Sequence, residues 1–310
     1  SSGSSAIYLA LKALNVKKGD EVITTPFTWI ITVNAILEVG AKPIFVDIKD
    51  DFNIDPEKIA SKITKKTKAI VPVHFTGYMT NMPKLVKIAN KLKIPIVEDA
   101  CQSILGAINN KNAGTWGISG AFSLHPLKNI NVWSDGGIIT TNNKKIYDQI
   151  KLLRNHGLVD RDTVKINGYN SRLDTFQAVV GNWLLPKSKS IAKKRIENAK
   201  YFDDHLSKIE EIRIPPRPRN YKIVYHLYIV FAKNRDKLYS YCLKKGIEAK
   251  IHYPKPMYLQ ESLKYLKHKK NDFPVTDYHC RNIISFPCDQ HLSIKQQNYI
   301  IKTIKDFYKK

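Results

Sequence analysis

Residues 94–103 read IPIVEDACQS. The run opens Ile94-Pro95-Ile96-Val97, apolar throughout, with no polar residue at alternate positions. A strand with one wet face alternates; a strand covered on both faces does not. This stretch therefore predicts an inner strand of a parallel sheet with helices on both sides. Its end changes character at once, to Glu98, Asp99, Ala100, Cys101 and Gln102. In open parallel sheets, ligands bind just past the carboxyl ends of the strands. An acid there is partly desolvated and wants a cationic partner.

Working outward, the same texture recurs. EVITT (21–25), KPIFVDI (42–48), KAIVPVHF (68–75), AFSLH (121–125) and GGIITT (136–141) are further short β-branched or apolar runs. Helical spacing fills most of the gaps. It is seen in SSAIYLALKALNV (4–16), in TWIITVNAILEVG (28–40) with Gly40 as its C-cap, in DPEKIASKI (55–63) and in MPKLVKIANKLK (82–93). Strands alternating with helices predict an α/β domain with a mostly parallel central sheet and helices on both faces. Two more helices are expected over 142–156 and 174–186, and a long charged one over about 188–209. Three prolines in IRIPPRPRN (212–220) then break the pattern. Beyond it come strands HLYIVFA (226–232) and EAKIHYP (248–254), a helix over 235–245, a polar loop and a C-terminal helix from about 293. The division expected is a large domain, 1–187, followed by a connector helix and a small α+β domain, 188–310.

The 310 residues suffice for two such domains. Hydrophobic residues at 43% and charged ones at 25% describe a globular protein. No apolar run approaches a membrane span, and no signal peptide is visible. The chain opens without Met and enters a helix almost at once, the pattern of a fragment whose start lies upstream. The formal charge of +24 raises nucleic-acid binding. Lys, however, greatly outnumbers Arg and is spread along the whole chain, whereas Arg is the residue that reads phosphates and bases with geometry. Four cysteines without zinc spacing and nine histidines without a ligand-spaced pair support no metal site and fit a reducing cytoplasm.

Four features fall at strand ends or at a helix start. Asp99 follows its apolar strand. Lys128 stands alone in FSLHPLKNINVWSDGG (122–137), whereas most lysines sit in runs such as KKTK (65–68) or KYLKHKK (264–270). Phe27 and Trp29 follow EVITTP. Gly3-Ser4-Ser5 opens the first helix, where amides and hydroxyls make an anion site. Singly, each has a plain reading: a cap, a salt-bridge partner, a core aromatic, a surface lysine. Together they match pyridoxal phosphate. Its aldehyde condenses with a lysine, its pyridine nitrogen is kept protonated by a buried Asp, its ring stacks on an aromatic and its phosphate anchors at a helix start.

Order and spacing then make the chain recognisable. It resembles the sugar aminotransferases of the DegT/DnrJ/EryC1/StrS family, fold type I pyridoxal phosphate enzymes. The matching pieces are GSSAIYLALKAL (3–14), the run 19–48, TKAIVPVHFTG (67–77), VEDACQS (97–103), FSLHPLKN (122–129), DGGIITTN (135–142), LRNHG (153–157), GYNSRLDTFQA (168–178) and IHYPKP (251–256), covering essentially the whole chain. The resemblance implies that Lys128 carries the cofactor and shuttles the proton, that Asp99 pairs with the pyridinium and that Trp29 stacks on the ring. It places Gln102 near the ring oxygen, and Gly3, Ser4, Ser5 and Ser123 at the phosphate. It implies that Asn170 reaches the phosphate from a neighbouring subunit, hence a homodimer with shared active sites. Arg172, His252 and Tyr253 are implied substrate contacts. The family's chains start a few dozen residues earlier, and its Gly-Asp-Gly-Gly is Ser134-Asp135-Gly136-Gly137 here.

The implied reaction is transamination from glutamate to a keto-sugar, nucleotide-linked or an eight-carbon sugar acid, for lipopolysaccharide or other surface glycans. HPLKNINVW (125–133) leans toward the branch that makes 8-amino-3,8-dideoxy-manno-octulosonate. The alternatives are a pyridoxamine-dependent sugar dehydratase, which carries His at the lysine position, and a non-catalytic regulatory or nucleic-acid-binding relative. Neither explains an intact Lys128 with Asp99.

Overall fold

A computed structural model describes residues 1–309. Its strands are β1 Glu21–Thr24, β2 Lys42–Phe45, β3 Thr67–Ile70, β4 Val97–Asp99, the short β5 Ala107–Ile108 and β6 Lys111–Asn112, β7 Ser119–Ser123, β8 Gly137–Thr140, β9 Ile212–Arg213, β10 Tyr221–Lys222, β11 Tyr228–Ala232 and β12 Ile283–Phe286. The helices are α1 Gly3–Ala13, α2 Ile30–Glu38, α3 Met82–Leu92, α4 Lys144–Leu153, α5 Thr175–Leu184, α6 Ser188–Leu206, α7 Arg235–Lys244, α8 Pro274–Asn282 and α9 Ile294–Tyr308. None of the described helices is long and apolar enough to cross a membrane.

The central sheet is two three-stranded ladders, β2-β1-β3 and β4-β7-β8. Parallel bridges Ile70–Ile96 and Val73–Asp99 join them edge to edge. Every pairing is parallel except β7 with β8. The mostly parallel α/β architecture read from the sequence is therefore present, with its antiparallel member at the edge. Neighbouring residues explain the apolar texture. Val22, Val71 and Val97 pack under α1, beside Ile7, Ala10 and Leu11. Ile23, Ile70 and Ile96 pack under α3, beside Met82, Leu85 and Ala89. Both faces are dry at these positions, which is why the strand centres are apolar without alternation.

The C-terminal part forms an antiparallel sheet, β12-β11-β9. It packs with α6 (Ala199, Phe202, Leu206), α7 (Leu238, Cys242) and α9 (Ile300, Ile304). Here the sequence reading and the fold differ. EAKIHYP is no strand; only Lys250 makes a bridge, to Ser285. The partner of β11 is IISF (283–286), which follows α8. The lure was the alternation of Glu248, Lys250 and His252 with Ala249, Ile251 and Tyr253; the polar loop hid α8 because its N-terminus has no local side-chain cap. Asp47, far upstream, supplies that cap by accepting from Val275 N at 3.1 Å and Thr276 N at 3.0 Å. DPEKIASKI makes two short 3-10 turns in place of an α-helix, although Asp55 caps the first as expected. The expected boundary at 187 is a division that the cores do not follow strictly. Phe27, Phe52 and Phe75 pack directly on Ile229, Phe231 and Ile283.

Candidate active site

Because β1, β3, β4 and β7 run parallel, their carboxyl ends share one edge. A cavity of about 360 Å³ lies there, and Gly3, Ser4, Trp29, Asp99, Gln102, Ser123, Lys128, His252 and Tyr253 all line it. Nine of the twelve residues singled out from the sequence thus meet in one place.

The start of α1 forms one wall. Ser2 caps the helix, its hydroxyl accepting from Ser5 N at 3.1 Å. A Cβ on Gly3 would lie 2.6 Å from Ser123 Cβ and 3.0 Å from Cys101 Sγ. One on Gly137 would lie 2.1 Å from Ser2 O. These two glycines let the helix end settle directly on the ends of β7 and β8. The free amides of its first turn, with the Ser123 side chain beside them, make a cradle for a phosphate. Ser5 does not line the cavity; its hydroxyl lies 3.0 Å from those of Ser1 and Ser2.

Asp99, only 4% exposed, is held by two donors. Its Oδ2 accepts from Thr32 Oγ1 at 2.7 Å, and its Oδ1 accepts from Cys101 N at 3.2 Å. Thr28 Oγ1 lies 2.9 Å from Thr32 Oγ1. The sequence reading passed over Thr28 and Thr32, although an i,i+4 pair of hydroxyls in an apolar helix, just after Trp29, was a visible signal. One residue before Asp99, Glu98 is fully buried and takes four hydrogen bonds. They come from His74 Nε2 (2.9 Å), Gly114 N (2.9 Å), Trp116 N (2.6 Å) and Gly117 N (2.7 Å). That knot fixes the end of β4 and hence the direction of Asp99.

Lys128 is half-buried. Desolvation pulls its pKa below the usual lysine value, against the opposing pull of Cys101 and Asp99. Burial, then Asp99, push the Cys101 thiol far up, so it stays protonated. Gln102 is fixed through Oε1, which accepts from Thr76 N at 2.7 Å. Trp29 is 57% exposed and tilts 36° against the Tyr253 ring, centroids 5.8 Å apart. Burial raises the Tyr253 pKa. Burial, with Lys250 and Lys128, lowers His252 to about 4; its Nδ1 lies 2.9 Å from Ser285 Oγ. His226, which the sequence reading passed over, also lines the cavity.

Asn170 and Arg172 are exposed and stand apart from this cavity, Arg172 Nε donating to Asn170 Oδ1 at 3.2 Å. Chemically, the cavity offers a desolvated amine, a fixed carboxylate, an exposed indole and an anion cradle. That set fits pyridoxal phosphate, and the Gly3 cradle, which a single methyl would fill, is its most demanding part.

Known proteins resemble this chain along its whole length. The family model described as the DegT/DnrJ/EryC1/StrS aminotransferase family matches residues 1–305. A pleiotropic regulatory protein of Geobacillus stearothermophilus is 35% identical, over 99% of this chain and 83% of that protein. The UDP-N-acetyl-3-dehydro-alpha-D-glucosamine 3-aminotransferase of Acidithiobacillus ferrooxidans is 34% identical, over 98% of this chain and 82% of its own length. The solved structure of S. venezuelae DesV, in complex with a ketimine intermediate, superposes with a TM-score of 0.97 at 30% identity, covering 100% of this chain and 84% of that one. The chain belongs to the DegT/DnrJ/EryC1/StrS aminotransferase family and is a pyridoxal phosphate-dependent sugar aminotransferase.

Proposed function

We propose that the enzyme moves the amino group of glutamate onto a nucleotide-linked keto-sugar, in the cytoplasm, for the assembly of a surface glycan such as lipopolysaccharide. The observation that carries the reading is the Lys128 amine, desolvated and placed in one cavity with Asp99 and the Gly3 cradle. Relatives named for UDP- and dTDP-sugars favour a nucleotide-linked acceptor over an eight-carbon sugar acid.

In this reading each side chain has one task. The amides of Gly3 and Ser4, with Ser123, hold the phosphate. Asp99, oriented by Thr32, would hold the pyridinium. Trp29 would cover the cofactor ring, and Gln102, fixed by Thr76, would stand beside it. When bound, pyridoxal phosphate supplies the electron sink that lets a proton leave the carbon bearing the amino group. Lys128 Nζ takes that proton and returns it on the other side of the exchange. Its lowered pKa leaves more of the amine free to do so near neutral pH.

The active form is a homodimer. On α5, Phe176, Val179 and Trp183 share one helix face and are 70%, 62% and 57% exposed. A second copy that covers this face would also bring Asn170 to the neighbouring cavity, with Arg172 at its substrate side beside His252 and Tyr253.

The test is an absorbance spectrum with added pyridoxal phosphate, before and after glutamate, beside Lys128→Ala. The expected result is a lysine-bound cofactor band in the wild type that glutamate bleaches and that the variant lacks. A band that glutamate leaves untouched overturns the donor; an identical band in Lys128→Ala overturns the role of the lysine.

A further inference from the structure

The ring of His226 makes no hydrogen bond among the described residues, and its Nδ1 is buried without a partner. Such an orphan costs about 1–3 kcal/mol, and folded proteins keep few of them. His74 shows the ordinary arrangement: Nε2 meets Glu98 at 2.9 Å, and Nδ1 accepts from Thr80 N at 3.3 Å. His226 instead lines the cavity beside Lys128, His125 and His252. Burial, then Lys128, Arg195, His252 and His125, hold its pKa far below the usual value, so the ring is neutral. A neutral imidazole has one donor and one acceptor.

The backbone around it is clamped from three sides. Val224 N donates to Gly77 O at 3.1 Å, and Leu227 N donates to Thr76 O at 3.3 Å. Asn129, next to Lys128, donates through Nδ2 to Val224 O at 2.9 Å. Buried Arg195 donates through Nη1 to Tyr225 O at 3.1 Å. Tyr225 is held at φ 45°, in the left-handed region. A Cβ on Gly77 would lie 2.9 Å from Tyr225 N and 3.0 Å from His226 N. Strain of this kind persists where the surroundings over-determine it, often at ligand sites. Here the surroundings fix one imidazole. Its Nδ1 has no open surface; Nε2, also without a partner among the described residues, is the ring nitrogen left open at the cavity wall.

We propose that His226 is a substrate-binding residue, its Nε2 hydrogen-bonding a hydroxyl of the sugar on the Lys128 side of the cavity. A hydroxyl both donates and accepts, so it pairs with a neutral imidazole in either tautomer, whereas a phosphate or carboxylate only accepts. Glutamate has no hydroxyl, so the contact serves the acceptor and not the donor. The inference rests on the nucleotide-sugar reading above.

The test is calorimetric titration of the cofactor-loaded enzyme with UDP-N-acetylglucosamine and with dTDP-glucose. His226→Leu weakens binding of the probe that the wild type takes by about tenfold or more. His226→Asn, polar but shorter, weakens it by about threefold, and decides the matter if the leucine variant does not fold. In both, an unchanged cofactor band and a melting temperature that is not lowered show that the site is assembled. Binding at wild-type strength in the variants overturns the proposal, as does a loss of binding that comes only with loss of the band. If the wild type binds neither probe while glutamate still bleaches its band, the nucleotide-sugar reading falls and takes this inference with it.

Discussion

Replacing Thr32 by Val tests whether Asp99 is held by hydrogen bonding or merely by packing. The two side chains have nearly the same shape, so the change removes a hydroxyl and little else. That hydroxyl donates to Asp99 Oδ2 at 2.7 Å and lies 2.9 Å from Thr28 Oγ1, both buried. A hydrogen bond to a charged group contributes about 1.5–3 kcal/mol, and an orphaned Thr28 hydroxyl adds a cost of about 1 kcal/mol. The extra methyl of Val returns about 0.8 kcal/mol of burial. The net loss is about 2 kcal/mol, a factor of about 30 in the folding equilibrium. Thr32→Ser makes the opposite change: the hydroxyl stays and a methyl leaves, at about 1 kcal/mol. Urea unfolding of the cofactor-free protein, at one fixed protein concentration, reads both variants. Valine should lower the midpoint more than serine. If serine costs as much as valine or more, packing dominates at position 32, and the hydrogen-bonded account of Asp99 is wrong.

Two further predictions follow from the same geometry. Gly3→Ala puts a methyl 2.6 Å from Ser123 Cβ; lifting α1 off the strand ends should cost about 1–3 kcal/mol and weaken pyridoxal phosphate binding more than tenfold, read by fluorescence titration. The fully buried His279 has its pKa lowered to about 4, chiefly by burial against the opposing pull of Asp50. The unfolded chain takes up that proton near pH 6.5 while the folded chain refuses it, so the contribution is complete above pH 6.5 and is lost as pH falls toward 4, by about 3 kcal/mol. His279→Phe, among Phe27, Phe52 and Phe231, should flatten the fall in urea midpoint between pH 7 and pH 4.5; an unchanged fall would place the acid sensitivity elsewhere.

The central sheet was legible because its strands are dry on both faces, a constraint written into every position of IPIV and AIVPV. Asp99, Lys128 and Trp29 were legible because each breaks such a pattern at a strand end or in an apolar run. What the sequence hid is long-range. The cap of α8 lies 228 and 229 positions upstream, at Asp47. The strand 283–286 was passed over for EAKIHYP (248–254), nearer to β11 in the chain yet tied to the sheet by a single bridge. His226 reads as one more residue of an ordinary strand, HLYIVFA. Its meaning comes from partners that it lacks, and from Asn129, Gly77 and Arg195, which fix its neighbours from 95, 147 and 30 positions away. A site residue defined by unmade hydrogen bonds leaves no trace in local spacing. It becomes visible only in the folded chain, where the ring stands at the cavity wall with no partner among the described residues.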